Sequence, residues 1–544
     1  MSGDEALRTD RHVSRNWKIA LALAFAYCAL FIPPNLTGAD DANMLAPVEI
    51  DEFTMHRIVM RMLTLGDSLT ETLRHWLGTG VYHYGYPFFL SSALFALPIK
   101  ALHEIGAISG DPTQAYLVVL RQLSPLWMAA AIVLLIHLWT GFRSTVLLIG
   151  AFLFLAFVPG ILKNNLWWHP DSLATLFVVA GLCSLAKDHH RFGRWYYAAA
   201  ILCGLATGTK LVGLYFVLPL AVYVGWAAIG RVMPWPKVAK HLGLFLALWL
   251  ISYVLTNPQL LVPRMAEYIL WSFFQAGKEG SFAAAQPEVW PPLIWYDLLN
   301  DPFGFWWMYV LALGACGMGL LFDPKTRLLN ALILAWTCSY GFVLIFLVTR
   351  RQPYYAILLF LPLFSCLMNP VLWSRDKWPQ RVKLPCLLGS SLAILLCCVQ
   401  FAAYLKTDVH VYRRTLNRED AQASLGFFRA LETNYLATLP PSTSLVVFRD
   451  PYVYVPPRTN FVIHWKHGQL TYDEVETLKP DLILLQRDYV ERYCQPEAIQ
   501  QRLEEHKPLA ERIYHLYSDA QQDTMKGFRK VFETEFAVAF AKNG

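Results

Sequence analysis

The stretch Pro87–His103, PFFLSSALFALPIKALH, settles how the whole chain is threaded. It reads either as a crossing of the membrane or as a helix lying on its surface. Charge decides between the two. With the stretch on the surface, six segments fall on the side of the N-terminus. They are the N-terminus (Arg8, Arg11, Arg15, Lys18), Arg143, the 187–194 turn (Lys187, Arg191, Arg194), the 231–240 turn (Arg231, Lys237, Lys240), Lys325 with Arg327, and the 375–383 turn (Arg375, Lys377, Arg381, Lys383). That places 17 positive residues on one face, as short cytoplasmic loops require. A crossing at 87–103 would invert every later loop and break the rule. The stretch is read as interfacial.

Working outward, about eleven segments are apolar over the length that a bilayer demands, because lipid offers no partner for backbone N–H and C=O groups. They lie near 18–34, 117–140, 145–162, 172–186, 195–209, 211–230, 241–257, 304–322, 328–348, 354–369 and 384–404. The first has a basic start but no small-residue cleavage site, so it is read as a span and not as a signal peptide. Composition agrees: 56% of the 544 residues are hydrophobic and 16% charged, against roughly 45–50% and 25% in soluble domains. The charge is unevenly spread. Residues 406–544 hold 18 Lys and Arg and 19 Asp and Glu, leaving 28 and 21 for the far longer stretch before them. The expected architecture is a polytopic α-helical membrane module over 1–404 and a soluble α/β domain over 405–544.

Other counts remove alternatives. Nine of the ten cysteines lie in apolar stretches, where Cys behaves as a small hydrophobe. Cys494 is alone in the tail, so the tail forms no internal disulfide. The net charge of +6 is no nucleic-acid signal, because the positive residues sit between apolar runs and leave no basic groove. The 19 Trp and 26 Tyr suit aromatic belts at a membrane interface.

The face opposite the positive turns receives the loops 35–116, 163–171, 258–303 and 349–353, and the tail. The loops 35–116 and 258–303, about 80 and 45 residues, exceed what connection requires, and loops this long usually bind or catalyse. In the tail, 418–438 and 473–478 read as helices, 445–448, 461–464 and 482–485 as strands, and 496–517 as one longer helix. No nucleotide-binding motif or nucleophile elbow appears there, so the tail reads as a docking or acceptor-recognition module.

Three groups on that face are candidates for chemistry. Asp51 and Glu52 head a segment with apolar residues at helical spacing (Phe53, Ile58, Met62, Leu65). Acids at a helix start are favourable on electrostatic grounds alone; the functional alternative is a carboxylate that deprotonates an acceptor hydroxyl. Asn164, Asn165, Trp167, Trp168, His169, Pro170 and Asp171 form a second cluster. Pro170 suits a first helical turn, with His169 as the cap, while His169 and Asp171 could also hold a metal, orient an acceptor or share a proton with Asp51. Third, Lys163, Lys210, Arg350 and Arg351 defy the charge rule, and Arg121 sits near the external end of a span. Snorkelling to lipid phosphates explains any one of them. Together they suit an anion, because Arg and Lys clamp phosphate oxygens through charge-assisted bonds.

Taken in order, these residues resemble a membrane glycosyltransferase of the GT-C fold, near the bacterial relatives of protein O-mannosyltransferases and the aminoarabinose transferase of lipid A. The resemblance runs over roughly 15–405. It follows the external Asp51 and Glu52, Gly66-Asp67, Tyr84-Gly85-Tyr86-Pro87-Phe88, Arg121 with Ser124, His169-Pro170-Asp171, Gly208-Thr209-Lys210, and Gln352-Pro353-Tyr354-Tyr355. It implies a sugar donor carried on polyprenyl phosphate and inverting transfer to a hydroxyl of a glycolipid, glycan or protein. It also implies Asp51 as the base with Glu52 as its rival, and Asp171 as a second acid. Lys210, Arg350, Arg351 and Arg121 would hold the donor phosphate, and Tyr86, Trp168, His169 and Tyr354 would line the cavity. A divalent ion (Mg or Mn) on Asp51 and Asp171 is a second way to stabilise the leaving phosphate. Two departures stand out: Gly85-Tyr86 precedes a single Pro87, where many relatives have Lys or His followed by two prolines, and the extra acids Asp40, Asp41 and Glu49 leave the identity of the base open. The expected location is a bacterial inner membrane with a periplasmic catalytic face and tail; the alternative is an endoplasmic reticulum membrane with these parts in the lumen. A transporter or lipid flippase is the competing function, but it predicts internal repeats and mid-depth polar sites, and neither is evident.

Overall fold

The computed structural model describes residues 3–80, 84–269, 291–348, 352–372, 383–440, 442–465, 469–500 and 507–543. The chain divides into two compact units. The first comprises residues 1–33, 59–101 and 119–413; the second comprises 34–58, 102–118 and 414–544.

The first unit is a helical bundle. Among the described residues, eight helices are long and apolar enough to cross a membrane, and nine if the pair Ile294–Phe303 and Trp306–Phe322, bent by 81°, is one span. The expected eleven therefore reduce to eight or nine by length and composition. The segment expected at 145–162 breaks at Phe157, giving the short apolar helix Thr145–Ala156 and then Pro159–Asn164. Pro159, at the first position of the second helix, is what restarts it. The segment expected at 195–209 is a helix of 17 residues, Arg194–Lys210. Tyr86–Glu104 is a helix of 19 residues and is not among the candidate spans. The last long helix, Lys383–Leu416, continues through residue 405 without a break.

Two consecutive helices set up the site. Pro170–Asp188 and Arg194–Lys210 are joined by only five residues, so they run antiparallel and bring the start of one beside the end of the other. Asp188 pins the far end. Its carboxylate accepts from the backbone N–H groups of Phe192, Gly193 and Tyr196 and from the Tyr223 hydroxyl. His189, His190 and Phe192 have positive φ there, a conformation that costs energy in non-glycine residues and needs such fixing.

The second unit contains a five-stranded sheet of order β2-β1-β3-β5-β4, with β1 Leu445–Arg449, β2 Phe461–Trp465, β3 Leu482–Gln486, β4 Phe528–Glu533 and β5 Ala537–Lys542. β2, β1 and β3 are parallel; β5 pairs antiparallel with β3 and β4 with β5. Alternating side chains supply two apolar faces. Val447, Leu482, Leu484 and Ala539 pack against Phe427, Phe428 and Leu431 of the helix Ala423–Asn434. Phe448, Ile483, Leu485 and Phe540 pack against Leu516 and Tyr517 of the helix Lys507–Gln521. The α/β expectation for the tail holds in kind. β4 and β5 were not anticipated, and of the helix expected at 496–517 the stretches Glu497–Gln500 and Lys507–Gln521 are helical, while 501–506 lie outside the described residues.

Candidate active site

The antiparallel pair of helices brings Asp171 and Lys210 together although they are 39 residues apart. Asp171 lies in the first turn of its helix, where an acid complements the exposed N–H groups, and Lys210 ends the next helix, where a cation complements the carbonyls. Lys210 Nζ donates to Asp171 Oδ1 at 2.5 Å. The other oxygen, Oδ2, meets His169 Nδ1. Asp171 and His169 are fully buried, whereas the Lys210 side chain retains 15% exposure. An ammonium has three N–H groups, so two remain after the bond to Asp171.

His169 is fixed on every side. An ionised carboxylate only accepts, so Nδ1 carries the proton in the neutral ring and Nε2 is the acceptor; it lies 3.2 Å from the Tyr84 hydroxyl. The His169 backbone N–H donates to Ser124 Oγ at 3.3 Å. The ring stacks on Trp167 at 4.2 Å and meets Tyr354 edge-on at 4.9 Å. Tyr355 and Tyr354 present their faces to the Lys210 ammonium at 4.6 and 5.4 Å, which adds a cation–π attraction. Behind Asp171, Asn164 Nδ2 donates to Ser172 Oγ and Asn165 Nδ2 to the Tyr27 hydroxyl, holding the loop that presents His169.

Lys210 also borders a narrow recess with Gly85, Gly208, Tyr253, Asn257 and Gln259, of a size for about one water or hydroxyl group. The Gly85 N–H donates to the Thr209 carbonyl at 2.9 Å. A Cβ on Gly85 would lie 1.5 Å from the Gly208 carbonyl oxygen, so only glycine allows this approach. The Tyr86 N–H donates to Asn257 Oδ1 at 3.2 Å. Gln259 is 3% exposed and its Oε1 accepts no hydrogen bond from the described residues.

The structure thus brings together His169, Asp171, Lys210 and Tyr354 from the expected set, with Tyr86 at the rim of the recess. Trp168 is placed differently: it is buried, stacks on Phe88 at 5.0 Å and donates to Ser92 Oγ. Trp167 takes the position on His169 instead. Arg121 is fully buried in the helix Thr113–Thr140. Asp51 and Glu52 occupy the first turn of the helix Ile50–Leu63; they belong to the second unit, Glu52 fully buried and Asp51 partly exposed. Arg350 and Arg351 lie outside the described residues. Trp167 stood in the second candidate cluster and Tyr84 and Tyr355 inside quoted motifs, while Asn257 and Gln259 were not singled out and carried no local signal. Both Asp171 oxygens are engaged, and among the described residues no group of three or more His, Cys, Asp or Glu side chains stands together.

Residues 88–268, the segment with Arg121, His169, Asp171 and Lys210, match the family described as dolichyl-phosphate-mannose-protein mannosyltransferase. No curated protein matches the chain. The fold is similar to that of ArnT from Cupriavidus metallidurans in the apo state, with 12% identity over 96% of this chain and 97% of that one and a TM-score of 0.50. ArnT bound to undecaprenyl phosphate aligns at 12% identity over 97% of each chain, TM-score 0.49. The archaeal oligosaccharyltransferase AglB from Archaeoglobus fulgidus, in complex with an inhibitory peptide and a dolichol-phosphate, aligns at 12% identity over 90% of this chain and 72% of that one, TM-score 0.44. The chain shares the fold of that ArnT, the GT-C fold expected from the sequence.

Proposed function

We propose that the protein transfers a sugar from a polyprenyl-phosphate donor to an acceptor hydroxyl of a glycolipid, glycan or protein, with inversion, at the periplasmic face of a bacterial inner membrane. The observation that carries this reading is the Asp171–Lys210 pair walled by His169, Tyr354 and Tyr355. The matched family's description supports the donor class, since it names a lipid-phosphate-linked mannose.

The mechanism follows from what each group can do. The departing lipid phosphate gains negative charge as the anomeric C–O bond breaks. Lys210 offers to that charge the two N–H groups that do not bond Asp171, and Asp171 fixes the ammonium so that no reorganisation is needed when the charge appears. His169, tied to Asp171 and Tyr84, fixes the carboxylate in turn. Asp51 takes the proton of the acceptor hydroxyl, whose oxygen attacks the anomeric carbon from the opposite side; the electron pair of the broken bond leaves with the phosphate. Arg350, Arg351 and Arg121 are further candidates for the phosphate, and Glu52 is the alternative base. Lys210 supplies in this reading the positive charge that a divalent ion on Asp51 and Asp171 would otherwise supply.

Proteoliposomes charged with polyprenyl-phosphate mannose, and with other polyprenyl-phosphate sugars beside it, provide the test. Asp51→Asn is expected to lower turnover by at least about 100-fold, the usual weight of a general base, and Asp171→Asn by a similar factor. Full turnover in both variants would refute the assignment.

A further inference from the structure

The loop that carries Asp51 and Glu52 is held by the tail's sheet domain, and the contacts fall on both sides of the two acids. Before them, Arg418 donates to the Thr37 carbonyl at 2.8 Å and Glu419 accepts from the Gly38 N–H at 3.2 Å. Asp41 accepts from the Asn43 N–H at 2.8 Å, closing a turn, and its second oxygen accepts from the Tyr454 hydroxyl at 2.7 Å. Met44 and Val48 join the apolar layer of Phe427, Phe428 and Leu431 on one face of the sheet. After the acids, the Phe53 ring packs on Trp465, the last residue of β2, at 4.6 Å. Arg57, one turn further along the same helix face, sets its guanidinium 5.4 Å from that indole. Arg449, the last residue of β1, lies with its guanidinium 5.7 Å from the Phe53 ring.

The contacts that follow the acids come from the carboxyl ends of two adjacent parallel strands. Arg449 is fully buried there, held by Nη1 bonds to the Pro451 and Val453 carbonyls at 3.1 and 2.8 Å. A buried guanidinium is expensive to desolvate, and its rigid placement against Phe53 makes the strand ends a hard stop for the helix. Asp51 and Glu52 lie between Met44 and Phe53, so neither can shift without breaking a contact on one side.

We infer that the tail domain is a positioning element of the transferase, and that Trp465 and Arg449 set the place of the helix bearing Asp51 and Glu52. This rests on the reading of Asp51 as the base. A loop of some eighty residues would otherwise sample many placements, and a misplacement of about 1 Å in a reacting group costs on the order of 100-fold in rate. The tail needs no chemical residues of its own for this role, which suits a domain that carries none of the recognised catalytic motifs.

The test uses the full chain in proteoliposomes with polyprenyl-phosphate mannose, beside amide hydrogen exchange. Trp465→Ala is expected to raise exchange across 45–58 while leaving 170–188 unchanged. It should lower kcat by about 10- to 100-fold with the donor KM within about twofold, and Trp465→Phe, which keeps a ring against Phe53, should restore most of the loss. Tyr454→Phe removes only the bond to Asp41 and should move the same two readouts in the same direction by a smaller factor. It carries the test if the alanine variant does not fold. Raised exchange with full kcat would refute the positioning role; unchanged exchange would refute the grip itself. Loss of turnover in Asp51→Asn with none in Trp465→Ala would refute this inference and leave the base in place. Full turnover in Asp51→Asn would instead refute the base while the exchange result stood.

Discussion

Asp171 and Asp450 are both fully buried carboxylates, one in each unit, and they are kept buried by different means. Asp171 has a cation, Lys210, on one oxygen and an imidazole on the other. Asp450, just after β1, has only neutral donors among the described residues: the Gln486 N–H at 2.8 Å and the Tyr517 hydroxyl at 3.1 Å. Burial pushes the pKa of Asp450 up to about 7, and those two hydrogen bonds recover only part of the shift. The two acids have nearly the same exposure, so burial alone does not distinguish them. A partner of opposite charge, itself left with spare donors toward a recess, does. Asp450 by contrast ties β1 to β3 and to the helix Lys507–Gln521, which is an architectural task.

The comparison breaks most sharply at Lys210. Lys210→Met leaves Asp171 buried beside His169 alone, and removing one partner of a buried pair costs about 3–5 kcal/mol. Turnover on polyprenyl-phosphate mannose should fall by at least about 100-fold, the usual weight of a fixed charge at a leaving group, and the melting temperature should drop with it. Lys210→Arg, which keeps the charge, should retain a measurable part of both. Full turnover in the methionine variant would move the phosphate site elsewhere.

A smaller effect is expected where the backbone approaches Lys210. Gly85→Ala forces a methyl group onto the Gly208 carbonyl oxygen, 1.5 Å away, and must push apart the contact that carries the Gly85–Thr209 hydrogen bond. Overpacking of this kind costs about 1–3 kcal/mol, and the shift at Lys210 should lower turnover by roughly tenfold. Gly150→Ala is the control, since a Cβ there meets nothing within 4 Å. Equal melting temperatures and turnover in the two variants would show that the recess tolerates movement.

Much of this was legible in single residues. Pro170 marks a first helical turn, which puts His169 at the cap and Asp171 beside it, and Lys210 is conspicuous as a cation on the wrong face. What was illegible came from packing between distant segments. Nothing local says that Trp167 and not Trp168 turns toward His169, because neighbouring indoles at a helix entry differ only in what they meet. Asn257 and Gln259 look like ordinary loop residues until the helix Arg194–Lys210 ends beside them. Ala537–Lys542 is a short apolar run of a kind that does not distinguish strand from helix, and its antiparallel partner β4 carries charges that obscure its alternation. The grip of the tail on the Asp51 loop joins residues some four hundred positions apart, as in Asp41 with Tyr454, and contacts of that separation leave no periodic trace.

The weakest expected effect tests the other half of the comparison. A carboxyl group whose folded pKa is raised from 3.8 to about 7 binds its proton more tightly in the folded tail than in the unfolded chain. Its contribution to stability is therefore complete below about pH 4 and is lost as pH rises through 7. With about 1.4 kcal/mol per unit, that loss is bounded at roughly 4 kcal/mol, and relaxation around Tyr517 reduces it. Protease resistance of the tail in the full chain, measured against urea from pH 5 to pH 8, should fall across that window. Asp450→Asn cannot ionise, so its resistance should stay level over the same range, while turnover on polyprenyl-phosphate mannose at constant pH stays within about twofold of wild type, as expected for a group outside the reacting atoms. A wild-type tail as resistant at pH 8 as at pH 5 would mean that Asp450 holds its charge without a cation. In that event the charge partner would no longer separate the two acids, and Asp171 would have to be distinguished by the recess at Lys210 alone.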